Sequence, residues 1–419
     1  MLKRVQGMRN LFKIAVRNLL RYKRRTMLTA SLITVGVVFV LVFISVSGSF
    51  KNMMIGQITD SMLGHMQVHR KAYVASIENL PLTMNLMPEE VKRLEAVLDS
   101  QPEVEAYSPR IKFGGGFSNF AETTNIRLNA VFPEKEFRTV PLLSSRIVNG
   151  EKNIKQGEII VPELLAKGMN VNIGDMVVVV TTNKDGSVNG KQFKIGGILQ
   201  SATGPGGRDG YIHIEDAREL LRMDEMEISE VAIRLKDFGR LSKFNEKLSG
   251  LLSKDLNSQG KPVFEVHTWE MLSPFYNIAR MIDVMTFFIK LMLIAIVLIS
   301  IMNVMIMAVY ERIREIGTIA AIGTLPGKIL SMFVIEGFCL GVAGAVIGNI
   351  VGVSIVLIIN LLKISFNFGQ QTGLLLVAKI TPSDLLFISV TVIIVSIVAS
   401  LQPAFKASRM EPIDALRHV

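Results

Sequence analysis

The sequence predicts an α-helical membrane protein with four transmembrane helices and a large extracytoplasmic α+β domain inserted between helices 1 and 2. Three observations carry this. Apolar residues make up 49% of the 419-residue chain and charged ones 20%, and the mean hydropathy is +0.40. That is too apolar for an ordinary soluble protein and too charged to lie in lipid throughout. Apolar stretches long enough to cross a hydrocarbon core, which takes about 20 residues at a rise of 1.5 Å each, occur once near the N-terminus and three times after residue 283. Between them lie more than two hundred residues of mixed charge, turn signals and short β-rich runs, none of which could span a bilayer.

Residues 1–26 form a cytoplasmic amphipathic helix. Nine basic residues and no acidic one stand between Met1 and Arg25, which keeps this segment inside. Phe12, Val16 and Leu20 recur at i, i+4 and i+8 with Lys13, Arg17 and Arg21 beside them, the pattern of a helix lying in the lipid interface. Residues 27–50 are the first span. Ser47-Gly48-Ser49 has the small-x-small form of a cleavage site, but the apolar stretch exceeds the roughly 7–15 residues of a signal peptide, so it reads as an uncleaved anchor.

Residues 51–283 form the α+β domain. Alternation or β-rich composition predicts strands at residues 64–69, 157–161, 177–180, 193–199, 211–214 and 231–235. Helices are expected from Pro88, at residues 164–167 and at residues 216–222. Gly114-Gly115-Gly116 and Gly204-Pro205-Gly206-Gly207 read as mobile loops. Residues 284–309, 329–361 and 385–401 are the remaining spans, with a turn at 310–328, an outer loop at 362–384 and a tail at 402–419. Four spans put both termini on one side, and Arg312, Arg314 and Lys328 in the turn and Lys406, Arg409 and Arg417 in the tail assign that side to the cytoplasm.

The net charge of +10 does not imply nucleic acid, because the basic residues crowd beside apolar spans where membrane topology already accounts for them. The single cysteine, Cys339, excludes an intrachain disulfide and leaves the redox compartment open. No metal site is expected: His65 and His69 lack a third ligand, and no Cys–His spacing, G-x-S-x-G or H-E-x-x-H occurs. Residues 323–328 superficially resemble a phosphate-binding loop but are one residue short, end in Ile329 where Ser or Thr is needed, and follow no strand.

Three features remain. In the third span Gly337, Gly341, Gly344, Gly348 and Gly352 recur at spacings of three or four, a groove that lets another helix approach closely. Glu336 sits beside them as an intramembrane acid, either a functional group or one paired near the interface. The turn carries Glu311, Arg314 and Glu315 along one helical side and Ile316, Ile319, Ala320 and Ile322 as an apolar side, as expected of a helix that docks into a groove on a cytoplasmic partner.

These residues carry a family resemblance over nearly the whole chain. The run Glu311-Arg312-Ile313-Arg314-Glu315-Ile316-Gly317, continued by Ala321-Ile322-Gly323, resembles the turn of the FtsX-like permeases of ABC transporters, of the MacB and lipoprotein-releasing (LolC/LolE) type. So do Pro403-Ala404-Phe405-Lys406-Ala407-Ser408 and Glu411-Pro412-Ile413-Asp414-Ala415-Leu416-Arg417 in the tail, Ala15-Val16-Arg17-Asn18-Leu19-Leu20 in the first helix, and Val171-Asn172-Ile173-Gly174-Asp175 in the outer domain. The resemblance implies a MacB-type periplasmic core domain and a permease subunit of the inner membrane, without catalytic residues of its own. ATP and Mg would be held by a separate cytoplasmic ABC ATPase, contacted by Glu311, Arg312, Arg314, Glu315, Ile316, Gly317, Ile319, Ala320, Ile322 and Gly323. It further implies a second permease copy, identical or a sister chain, a periplasmic adaptor or acceptor protein, and contact with membrane lipid. The output would be extraction or expulsion of a lipoprotein, lipid, peptide or drug by mechanotransmission; the alternative is an FtsX-like signal transmitter that activates a cell-wall hydrolase.

Overall fold

The computed structural model describes residues 2–202, 208–368 and 371–411. It divides into two compact units, one of Met1–Lys51, Arg280–Ser365 and Leu375–Val419, the other of Asn52–Ala279 and Phe366–Leu374. The predicted loop at residues 204–207 and the tail residues from 412 onward lie outside the described residues.

The first unit is helical. α1 (Leu2–Arg21) leads into α2 (Lys23–Ile58), which continues as a π-helical turn over Thr59–Leu63 and gives its last turns to the other unit. Ala15 is buried, whereas Phe12, Lys13, Arg17 and Leu20 are exposed, so the second half of α1 keeps one narrow edge against protein and offers an apolar and basic surface outward, as an interfacial helix does.

In the α+β unit the chain continues through β1 (Met66–Arg70), α3 (Pro88–Asp99), β2 (Val104–Ser118), β3 (Thr123–Val131), α4 (Pro133–Thr139), α5 (Leu143–Arg146), β4 (Ile147–Gly150), β5 (Glu158–Pro162), α6 (Glu163–Gly168), β6 (Met176–Thr182), β7 (Val188–Leu199), β8 (Gly210–His213), α7 (Ile214–Leu220), β9 (Glu230–Leu235), α8 (Leu241–Leu252), β10 (Phe264–Thr268) and α9 (Trp269–Leu272). Strands β10-β1-β9-β2 lie in that order, all antiparallel to their neighbours. With α3 between β1 and β2 and α8 between β9 and β10, this is a split β-α-β arrangement. Everything between β2 and β9 is an insertion in which β2-β3-β8-β5-β7-β6 pair in turn and β6 pairs back onto β2, closing a ring of six strands.

The strand β2 therefore serves two assemblies, its first half against β9 and its last residues against β6. The change falls at Gly114-Gly115-Gly116, predicted as a mobile loop but here strand residues paired to Arg127, Ile126 and Asn125 of β3. A Cβ on Gly115 would stand 2.6 Å from the Val180 carbonyl oxygen, so glycine here admits a backbone rather than loosening a loop.

At the same junction Glu230, the first residue of β9, is fully buried. It lies opposite Arg110 of β2 and His69 of β1. The Arg110 guanidinium donates to Glu230 (3.0 Å) and, through Nε, to Glu136 of α4 (3.0 Å); Lys112 Nζ stands 3.6 Å from the other Glu230 oxygen. Burial alone would raise the Glu230 carboxyl, but the neighbouring Lys112, the His69 ring and Arg110 outweigh it and hold the group far below the usual carboxylate range. A depressed folded value contributes stability above the unfolded value of about 4.3 that is lost as pH falls. Glu230→Gln, which removes one of the buried carboxylates that compensate Arg110 and Lys112, is expected to cost about 3 kcal/mol at neutral pH and to flatten the acid limb of stability. Unfolding of the full chain followed from pH 7 to pH 3 measures both; an unchanged acid limb contradicts the assignment.

The helical unit resumes with α10 (Phe275–Glu311), whose first turns belong to the other unit. After it come α11 (Ile313–Ala321), α12 (Pro326–Leu361), the hairpin β11 (Ser365–Phe368) and β12 (Gln371–Leu375), and α13 (Pro382–Ser408). The predicted outer loop thus contains a hairpin. Four helices among the described residues are long and apolar enough to cross a membrane: Lys23–Leu63, Phe275–Glu311, Pro326–Leu361 and Pro382–Ser408. α13 opens on a reciprocal cap in which Thr381 and Asp384 bond each other's backbone N–H (both 3.2 Å). The five glycines of α12 lie against two different helices. Gly337 and Gly341 meet Ser400 and Ser396 of α13, and Gly344, Gly348 and Gly352 meet Ile33, Val37 and Leu41 of α2.

Candidate functional site

The turn between the second and third spans is built from three local decisions of the backbone. Helix α10 stops at Glu311 because Arg312 leaves helical geometry (φ −112°, ψ 19°). Helix α11 then runs for 9 residues and ends in a paired C-cap: Gly323 N–H donates to the Ala320 carbonyl (3.0 Å) and Thr324 N–H to that of Ile319 (3.1 Å). Gly323 has φ +95°, a conformation that favours glycine. Pro326 restarts the chain as the first residue of α12, where a missing N–H costs nothing.

The break at Arg312 reorganises the predicted charged side. Glu311 and Glu315 no longer share one helix: Glu311 accepts from Arg25 (2.7 Å), and Glu315 from Arg21 (3.4 Å) and Arg312 (3.2 Å). Arg312 is 6% exposed and Glu336 only 1%. Arg312 Nη1 and Asn18 Nδ2 both donate to Glu336 Oε1 at 2.9 Å, and the guanidinium lies over the Phe333 ring at 5.8 Å. The intramembrane acid of α12 is thus a paired group, with its partners on α1 and at the α10–α11 break.

The predicted contact residues separate by exposure. Arg312, Ile316 and Gly317 are buried, Ile319 and Ala320 are half-buried against the bundle core, and Glu311, Arg314, Glu315, Ile322 and Gly323 are exposed. The outward apolar surface is therefore the tip of the turn, where Ile322 is 80% and Leu325 64% exposed. Leu325 escaped the sequence reading because it follows the helix and joins no periodic face. The partners of the glutamates do carry a sequence signal: Arg21 and Arg25 repeat the four-residue spacing of Glu311 and Glu315.

In the α+β unit a cleft of about 1370 Å³ opens over Gly114–Gly116, bordered by Leu80, Arg127 and Lys184. His65 and His69, expected to lack a third ligand, are both buried as packing residues: His65 Nδ1 accepts from Leu235 N–H (3.0 Å), and His69 faces Glu230 at 3.6 Å. Among the described residues no group of three His, Cys, Asp or Glu could hold a metal ion.

Comparison with known proteins agrees with this architecture. Residues 26–251 match the MacB-like periplasmic core domain family, and residues 287–412 the FtsX-like permease C-terminal family. The lipoprotein-releasing system transmembrane protein LolC of Neisseria meningitidis serogroup B is 23% identical over 415 residues, 94% of this chain and 94% of that protein. The macrolide export ATP-binding/permease protein MacB of Bdellovibrio bacteriovorus is 24% identical over 329 residues, 75% of this chain and 47% of that protein. Among solved structures, the periplasmic region of MacB from Actinobacillus actinomycetemcomitans covers 52% of this chain and 92% of its own at 13% identity, with a TM-score of 0.36.

Proposed function

The chain belongs to the FtsX-like ABC transporter permeases with a MacB-like periplasmic core domain, and from that membership we propose that it transmits work from a separate cytoplasmic ATPase to its α+β domain on the outer face of the inner membrane. Both termini and the turn at 310–328 lie in the cytoplasm in this reading, and ATP and Mg bind the partner. The observation that carries it is the tip of the turn: Ile322 and Leu325 are exposed apolar side chains at the end of a short helix, set on a surface that a water-soluble partner can cover. Nucleotide-driven movement of the ATPase displaces α11, the long spans tilt, and the outer domain works on an amphipathic substrate. The alignment along 94% of LolC supports a lipid-modified protein as that substrate, delivered to an acceptor protein. Two permease copies, each engaging one ATPase, complete the assembly.

The test is purification of the full chain from membranes in a mild detergent. An ATP-hydrolysing subunit should accompany it, and mass spectrometry of the retained molecule should find an acylated or otherwise amphipathic species. Recovery of the intact chain with no ATP-hydrolysing subunit would contradict the reading.

A further inference from the structure

Resting on that reading, we propose that Arg312, Glu336 and Asn18 form a transmission joint that makes α1, α11 and α12 move as one lever when the ATPase pushes on the turn. A connector of four residues, 322–325, separates α11 from α12, and Arg312 leaves helical geometry between α10 and α11. Backbone alone would therefore let α11 rock without dragging either span. Ile316 packs α11 into the bundle core, and one buried guanidinium ties it by directional bonds to α12. Arg312 sits at the start of α11, donates to Glu315 on that helix at 3.2 Å and to Glu336 on α12 at 2.9 Å. Glu336 also accepts from Asn18 of α1 at 2.9 Å, and Arg21 of α1 returns to Glu315 at 3.4 Å. The loop of contacts is closed, α1 to α12 to Arg312 to α11 and back to α1.

Burial gives the joint its stiffness. An exposed ion pair opens readily, but separating Arg312 from Glu336 would strand a charge in a site where only 6% and 1% of the two residues is exposed. The fork of Arg312 matters as well, since it bonds two carboxylates on two helices at once, which an ammonium on a flexible stem does less well. From Glu336 the path continues one residue on, because Gly337 opens the seam along which α12 meets α13 and then α2. These are positioning residues: none is offered as a contact to the ATPase or to the substrate.

The experiment is hydrogen–deuterium exchange on the full permease–ATPase complex in nanodiscs, with and without ATP plus vanadate. In the unmodified complex the nucleotide should change exchange in α11, in α12 and in the α+β unit. In Glu336→Gln, ATP turnover and the change in α11 should persist, while the change in α12 and the α+β unit is lost. Arg312→Lys should give a reduced version of the same loss. A purely structural role would alter resting exchange but leave the nucleotide-induced difference intact, and that result would overturn the proposal. So would failure of both variants to assemble, since the pair would then serve folding and not transmission. No nucleotide-dependent change in α11 of the unmodified complex would instead refute the underlying permease reading.

Discussion

Replacing Ile322 by Asp is expected to abolish association with the ATPase while leaving the permease folded. Ile322 is 80% exposed and makes no contribution to the buried core of the bundle, so an acidic side chain there meets only water in the free chain. In the complex the same side chain would have to lose its hydration inside an apolar contact. Truncating a central interface residue costs about 2 kcal/mol or more, and a buried unpaired charge exceeds that, so a loss of at least about a hundredfold in affinity is expected. Leu325→Asp should behave alike. Glu315→Lys also reverses charge on the turn, but Glu315 is bonded to Arg21 and Arg312, so its loss would combine weaker docking with a broken joint. Pull-down of the ATPase by the Ile322→Asp chain, with thermal unfolding as the control for folding, separates the two. Retained binding at an unchanged melting temperature would remove the tip of the turn from the interface.

Gly344→Leu is expected to break the bundle itself. A Cβ at this position would stand 2.5 Å from Ile33 Cγ2 and 2.8 Å from Ile33 Cβ, and Ile33 is fully buried. The branched side chain has few rotamers to retreat into, so α2 and α12 must part. Overpacking of this kind costs about 1–3 kcal/mol for a single added group, and leucine adds several. Gly344→Ala should lower the melting temperature of the detergent-solubilised chain, and Gly344→Leu should prevent its recovery as a folded species. Ile33→Ala introduced together with Gly344→Ala should restore only part of the loss, because it removes Cγ2 but leaves the residue-33 Cβ 2.8 Å from the new methyl group. A Gly344→Leu chain with unchanged melting would show that the helices do not meet along this seam.

The contrast between these residues shows what was legible in the sequence. The four apolar helices and the glycine register could be read because lipid imposes a length and close helix packing imposes a spacing, and both are local patterns. The strands at 157–161, 177–180 and 231–235 could be read for the same reason, being short and β-branched. The middle of β2 could not. Gly114-Gly115-Gly116 has loop composition, and only the arrival of Val180 from a strand some sixty residues later makes glycine a requirement of the strand. Glu230 and Arg110, 120 residues apart, left no local trace either. The turn was legible as a helix with charges, but the non-helical backbone at Arg312 was not, and that one residue decides which side chains face inward. It turns Ile316 into the bundle, sends Glu311 to Arg25, and leaves Ile322 and Leu325 as the surface on offer.

The central claim, that the tip of this turn is where ATP-driven work enters the chain, is tested most directly by site-specific photo-crosslinking in intact membranes. A crosslinking residue is placed at Ile322, and in a second strain at Val148, an exposed apolar position of the α+β unit. The account predicts a covalent adduct with an ATP-hydrolysing subunit from Ile322 and none from Val148. An adduct from Val148, or none from Ile322 in a chain that still reaches the membrane and folds, would contradict it.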